Sequence, residues 1–115
     1  MKGIKRECYR LVQKIVLEQH PICQFPGCRL PSSAGHHVFK RDRMGTAFDP
    51  ECLIALCVDH HAWMHDEIDI GKALAESLLK DRYRDKEALS RMSVRLRQAD
   101  FELIAAKLRR ILKGG

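Results

Sequence analysis

Between His36 and His65 the chain gathers five of its six histidines and two of its five cysteines into thirty positions. Hydrophobic packing does not require that density of imidazole and thiol, and such side chains crowded into one stretch point to ligation. Whatever fold forms must bring these groups around common points. At 115 residues the chain amounts to one domain with a modest core, small enough for a bound ion to matter to its stability.

The thiols sort first. Cys23-Gln-Phe-Pro-Gly-Cys28 sets two cysteines on either side of a Pro-Gly turn, which folds the chain back so that both sulfurs can face one ion. Cys57-Val-Asp-His60 supplies a second pair at knuckle-like spacing. Four soft or borderline ligands in two pairs match a closed tetrahedral structural Zn²⁺ site made of Cys23, Cys28, Cys57 and His60. His36, His37, His61 and His65 then remain unspent. Neighbouring strand residues face opposite sides, so His36 and His37 divide their work. His61 and His65 stand one helical turn apart and can share an ion. A three-histidine site with an open position can polarise a phosphate, and a free histidine that titrates near neutrality can act as a general base.

Periodicity supplies the frame. Ile4, Cys8, Leu11, Val12, Ile15 and Val16 recur on one face and predict a helix over 4–19, stopped by Pro21, with Cys8 a small core residue. Residues 21–35 have loop composition. His36-His37-Val38-Phe39 reads as a strand and Leu53 to Leu56 as a second, joined by the polar segment Lys40 to Glu51; residues 58–68 have helical character. Further helices are expected over Ile70 to Leu79, with Ile70, Ala73, Leu74, Ser77 and Leu78 on one side, over Lys86 to Arg97, and over Asp100 to Lys113. Asp100 caps that last helix, or one helix runs on from Lys86. Trp63 reads as a core residue in preference to a base-stacking one. The class is α+β: one domain with an N-terminal helix in 1–20, a ligand-bearing core in 21–67, and a basic helical extension in 68–115.

Charge is uneven. From Lys80 onward there are 11 Lys/Arg against 5 Asp/Glu, while the preceding residues balance. A concentrated positive field favours a polyanion such as DNA, and a solvated helix face is the plainer reading. The apolar stripes of these C-terminal helices can instead form a homodimer seam. Charges interrupt any signal-like segment near the start, and no apolar run approaches membrane-spanning length. A cytoplasmic location with reduced thiols is expected, and no membrane partner.

The arrangement H-H-x14-C-x8-H-x3-H, flanked by C-x4-C and C-x2-H, resembles the HNH endonucleases of the ββα-metal (His-Me finger) fold. The H-x3-H ending is similar to colicin-type nuclease domains, and the cysteine pairs to zinc-stapled HNH nucleases of phages and prophages. The resemblance covers residues 21–67. It implies a catalytic divalent metal (Mg²⁺, Mn²⁺, Ni²⁺ or Zn²⁺) on His36, His61 and His65, His37 as general base, and hydrolysis of DNA phosphodiester bonds. Lys40, Arg41 and Arg43 follow the histidine pair and would hold phosphates flanking the cut. The family's middle Asn is Cys52 here, and the chain has no Asn to take its place. A thiol is a much weaker hydrogen-bond partner than a carboxamide. Two other functions therefore stand beside the nuclease: a non-catalytic, zinc-dependent DNA-binding module, and a zinc-stapled protein-interaction scaffold.

Overall fold

Helix α1 (Lys2–Gln19) presents Cys8, Leu11, Val12, Ile15 and Val16 as one buried stripe, which the closing helix of the chain covers with Phe101, Ala105 and Leu108. The computed structural model describes residues 2–114. After α1 come β1 (Ala34–His37), β2 (Leu53–Leu56), α2 (Val58–Asp66), α3 (Ile68–Leu79), α4 (Arg82–Arg91) and α5 (Gln98–Gly114). Among the described residues five α-helices and one two-stranded antiparallel sheet make an α+β fold. The Cys8 thiol donates to the Phe101 carbonyl at 3.3 Å, so it serves the α1–α5 seam as a core residue. At the rim of that seam Glu7 accepts from Arg10 on its own helix and from Arg109 on α5.

β2 explains why four consecutive apolar residues can sit in a strand. Leu53 and Ala55 enter the α1–α5 core, whereas Ile54 and Leu56 enter a second cluster with Cys23, Cys57, Met64, Leu74 and Ala75. Alternating side chains thus feed two cores, and the strand is buried on both faces. β1 pairs with it in the register Ala34↔Leu56 to His37↔Leu53.

A glutamine grips each edge of this small sheet at one residue. Gly35 and Ala55 oppose each other, and their N–H and C=O groups point outward from the ladder. Gln13 of α1 donates to the Gly35 carbonyl and accepts from the Gly35 amide, at 2.7 Å each. Gln24 does the same for Ala55, through its own amide to the Ala55 carbonyl (2.8 Å) and its side-chain oxygen (2.9 Å). A side chain at Gly35 would meet Leu53 Cδ2 at 3.0 Å and Gln13 Oε1 at 3.2 Å, so glycine admits the helix to the strand edge.

Three expectations shift. The first strand begins and ends two residues earlier than the 36–39 reading, because Gly35 is the residue that Gln13 grips; Val38 adds one more bond, to the Cys52 carbonyl, and Phe39 turns toward Tyr83. The C-terminal region is two helices broken over residues 92–97, and α5 starts two residues before Asp100. Asp100 reaches back across the first turn to accept the Arg97 amide at 2.8 Å, the carboxylate half of a capping box. On α3 the buried face is Leu74, Ala75 and Leu79, with Ile70, Ala73 and Ser77 exposed. The helix is turned because Gly71 lies against Met64, where an added Cβ would stand 3.3 Å from the Met64 methyl. Among the described residues no helix is long and apolar enough to cross a membrane.

Gln13→Ala should lower the unfolding free energy by about 1–3 kcal/mol in urea titrations, since it orphans both outward groups of Gly35. Gln13→Glu should not restore it, because a carboxylate oxygen would then face the Gly35 carbonyl. Glu7 is held at about 2, chiefly by its hydrogen bond to Arg10, against the upward push of burial and with further help from Arg109. Its folded value lies below the ordinary 4.5, so its stabilising effect is whole above that value and is lost as pH falls toward 2. Acid titration of the melting temperature should therefore be flatter in Glu7→Gln than in wild type across this window. Parallel curves would refute the assignment.

Candidate functional site

The early loop reaches the sheet through a tight turn. Cys28 donates its amide to the Phe25 carbonyl at 3.0 Å, and Gly27 takes φ +82, the value that a Pro-Gly type II turn needs at its third position. Cys23 returns a hydrogen bond to the Leu30 carbonyl, and Gln24 docks on Ala55. Cys57, the residue after β2, is the N-cap of α2, with its sulfur accepting the His60 amide at 3.4 Å. Cys23, Cys28, Cys57 and His60 thereby bring their ligand atoms within 4.8 Å of one another.

Their spacing suits an ion. Tetrahedral zinc with ordinary bond lengths sets S···S edges at about 3.8 Å and S···N edges at about 3.6 Å. Here Cys28 and Cys57 sulfurs are 4.0 Å apart, and His60 Nδ1 lies 3.3 Å from Cys57 and 3.5 Å from Cys23. The thiols also titrate in opposite directions. The Cys57 thiol is pulled down by the His60 amide. For Cys28 the Leu30 amide pulls down, but burial and the neighbouring Cys23 and Cys57 sulfurs push it up. Three thiolates this close repel one another unless a cation joins them. The Cys₃His cluster can hold a metal such as zinc. Phe25 stacks flat on the His60 ring, 4.1 Å between centroids, and fixes its plane. Trp63 meets Phe25 edge-on and remains 37% exposed, so it flanks the cluster and is not a core residue.

The next residue on α2 faces elsewhere. His61 and His65 stand one turn apart with Nε2 atoms separated by 3.3 Å, the edge expected of a tetrahedral site at about 3.3 Å. His36 of β1 completes the group, all three ligand atoms lying within 4.8 Å. Burial, and then the neighbouring His61, His65 and His37, lower the His36 pKa to about 4. His61 is likewise lowered, by burial first and His65 second. His36 and His61 are thus held neutral, with lone pairs free for a cation.

His37 lines the same cleft of about 700 Å³ as these three. Its Nε2 lies 3.0 Å from the Ala47 carbonyl, which can only accept, so Nε2 carries the proton and Nδ1 keeps the lone pair. Burial lowers its pKa, aided by the Arg41 charge and opposed by the Ala47 hydrogen bond. Cys52 belongs to neither cluster. It is buried, and burial together with the Asp49 charge pushes its thiol up to about 12, so it is a neutral group beneath the loop.

Of the three basic residues expected around the histidines, Lys40 and Arg41 line the cleft. Arg43 does not; its carbonyl closes the loop by accepting from Thr46 and Ala47. Tyr9 is a neighbour that periodicity alone does not single out. Its hydroxyl donates to the Arg41 carbonyl at 2.9 Å, its ring lies 4.2 Å beneath the Arg41 guanidinium, and its edge meets His37. Comparison with protein-family models, with curated proteins and with solved structures returns no match.

With zinc loaded at the Cys₃His cluster, its removal by a strong chelator should lower the melting temperature by about 10 °C or more. It should also shift the emission of Trp63, the chain's one tryptophan, whose ring lies 6.3 Å from that of His60. Unchanged melting and emission after verified removal would show that the four ligands need no ion.

Proposed function

We propose that the chain is a metal-dependent endonuclease of the HNH type, with β1, β2 and α2 as a ββα-metal core, hydrolysing DNA phosphodiester bonds. The observation that carries this reading is the convergence of His36, His61 and His65 in the cleft that also holds His37, whose free Nδ1 is fixed by a hydrogen bond on the opposite nitrogen. A divalent ion on the three histidines would supply Lewis acidity toward the phosphate and the departing 3′-oxygen. His37 Nδ1 takes the proton of the water that attacks phosphorus, the P–O3′ bond breaks, and the 3′-oxygen is protonated from solvent. Lys40 and Arg41 hold the flanking phosphates; Tyr9 keeps the Arg41 guanidinium at the cleft wall. A zinc ion held by Cys23, Cys28, Cys57 and His60 would separately fasten the early loop to the sheet and α2.

A DNA-binding module without turnover is the second reading, favoured by the neutral thiol of Cys52 and by the excess of Lys and Arg after residue 80. A homodimer through the C-terminal helices would use the exposed Leu89, Met92 and Leu103, because Phe101, Ala105 and Leu108 are spent on α1.

Purified protein incubated with supercoiled plasmid and Mg²⁺, Mn²⁺, Ni²⁺ or Zn²⁺ should nick it. His37→Ala should be slower by roughly 100-fold or more, while Arg41→Ala should mainly raise KM. Wild type inert under every metal, or His37→Ala as active as wild type, would sink the nuclease. DNA binding that falls steeply with salt and survives His37→Ala without any nicking would establish the second reading.

A further inference from the structure

The proton-accepting nitrogen of His37 is aimed by one carbonyl, that of Ala47, and Ala47 lies in the connection between β1 and β2, outside the ladder. What fixes this carbonyl is a set of turns. Thr46 and Ala47 donate to the Arg43 carbonyl, and Asp49 donates to that of Thr46. Asp49 then gathers the far end: its carbonyl accepts the Cys52 amide at 2.9 Å, and its Oδ1 accepts the Glu51 amide at 3.0 Å. The other carboxylate oxygen leaves the loop altogether and accepts from Lys86 Nζ, on α4, at 2.5 Å.

This ion pair differs from the others of the chain. Its two side chains are 18% and 25% exposed, whereas among the described residues every other pair except the weaker Lys86–Glu51 contact includes an arginine that is more than half exposed. α4 also meets the loop at a second point. Gly45 approaches the Leu89 carbonyl so closely that an added Cβ would stand 2.7 Å from it. The loop is therefore held between two fixed bodies, with Ala47 and Phe48 buried in the α1–α5 core and Asp49 and Gly45 held by α4.

We propose that Lys86 and Asp49 form a positioning pair for His37, holding the loop so that the Ala47 carbonyl keeps the ring in its Nε2–H form and Nδ1 directed into the cleft. This rests on the nuclease reading for its role in catalysis, but the geometric part is observable without turnover.

The test uses the full, metal-loaded chain and reads nitrogen-15 NMR of the histidine rings, with circular dichroism confirming the fold. Wild type should give a single Nε2–H signature for His37. Lys86→Met should mix or broaden it, Lys86→Arg should restore it, and Gly45→Ala should disturb it by the independent route. In nicking assays Lys86→Met should lower kcat by roughly 10- to 100-fold with KM for DNA little changed. Should Lys86→Met fail to fold, Gly45→Ala and the Lys86→Arg comparison carry the test. A lower melting temperature with the His37 signature and kcat both unchanged overturns the positioning role. Wild type that never nicks, while Lys86→Met still frees the ring, supports the positioning geometry and overturns the nuclease.

Discussion

A single thiol sets the direction of everything around the cleft. Cys57 follows β2, caps the first turn of α2 and contributes to the Cys₃His cluster, so a helix that began elsewhere would lose the cap and the cluster together. Its sulfur is reached from the other side by Cys23 and Cys28, on a loop that Gln24 hangs from Ala55. With the origin of α2 fixed, the two histidines one turn apart on its face are delivered to His36. A helix start has orphan amides that a sulfur can accept, and an ion at such a sulfur joins backbone geometry to ligation.

The sheet is too small to stand alone, and its surroundings supply what further strands would. β2 is apolar throughout because each face feeds its own core. The outward groups of Gly35 and Ala55, which an extended sheet would pair, are taken by Gln13 and Gln24, and the Leu53 amide by the Pro50 carbonyl. An isolated pair of strands is marginal in water, and covering both edges and both faces is what makes four-residue strands persist. The electrostatics follow from the same enclosure. Partial burial beside other imidazoles holds His36 neutral, and partial burial beside Arg41 pushes His37 in the same direction.

Local spacing revealed the parts of this arrangement that are themselves local. Cys23 and Cys28 around a Pro-Gly turn, Cys57 with His60, and His61 with His65 could all be paired from the sequence, as could the Leu53–Leu56 strand and the α1 stripe. Contacts made across long separations could not. Nothing in the order of residues ties Gln13 to Gly35, Tyr9 to Arg41 or Lys86 to Asp49, because each partner sits on an element whose docking depends on the whole fold. The face of α3 was misjudged for a related reason: counting apolar residues favoured Ile70 and Ala73, whereas the close approach at Gly71 turns the helix onto Leu74, Ala75 and Leu79. Trp63 was misplaced because its position on a short helix beside a ligand site suggested burial, while the face of the His60 ring is taken by Phe25.

His60 and His61 are consecutive, yet one faces the thiols and the other faces His36. Successive residues of a helix point about 100° apart, so the angle between the two ligand directions is a property of the backbone and not of either cluster. The segment from Cys57 to His65 therefore behaves as a ruler of fixed length. Its exposed positions Val58, Asp59 and Ala62 belong to neither ligand set. A single inserted or deleted residue between His61 and His65 would swing His65 away from its partner while leaving the Cys₃His group intact. One placed between Cys57 and His60 would break the thiol set first. Length, more than composition, is what this stretch of chain has to preserve.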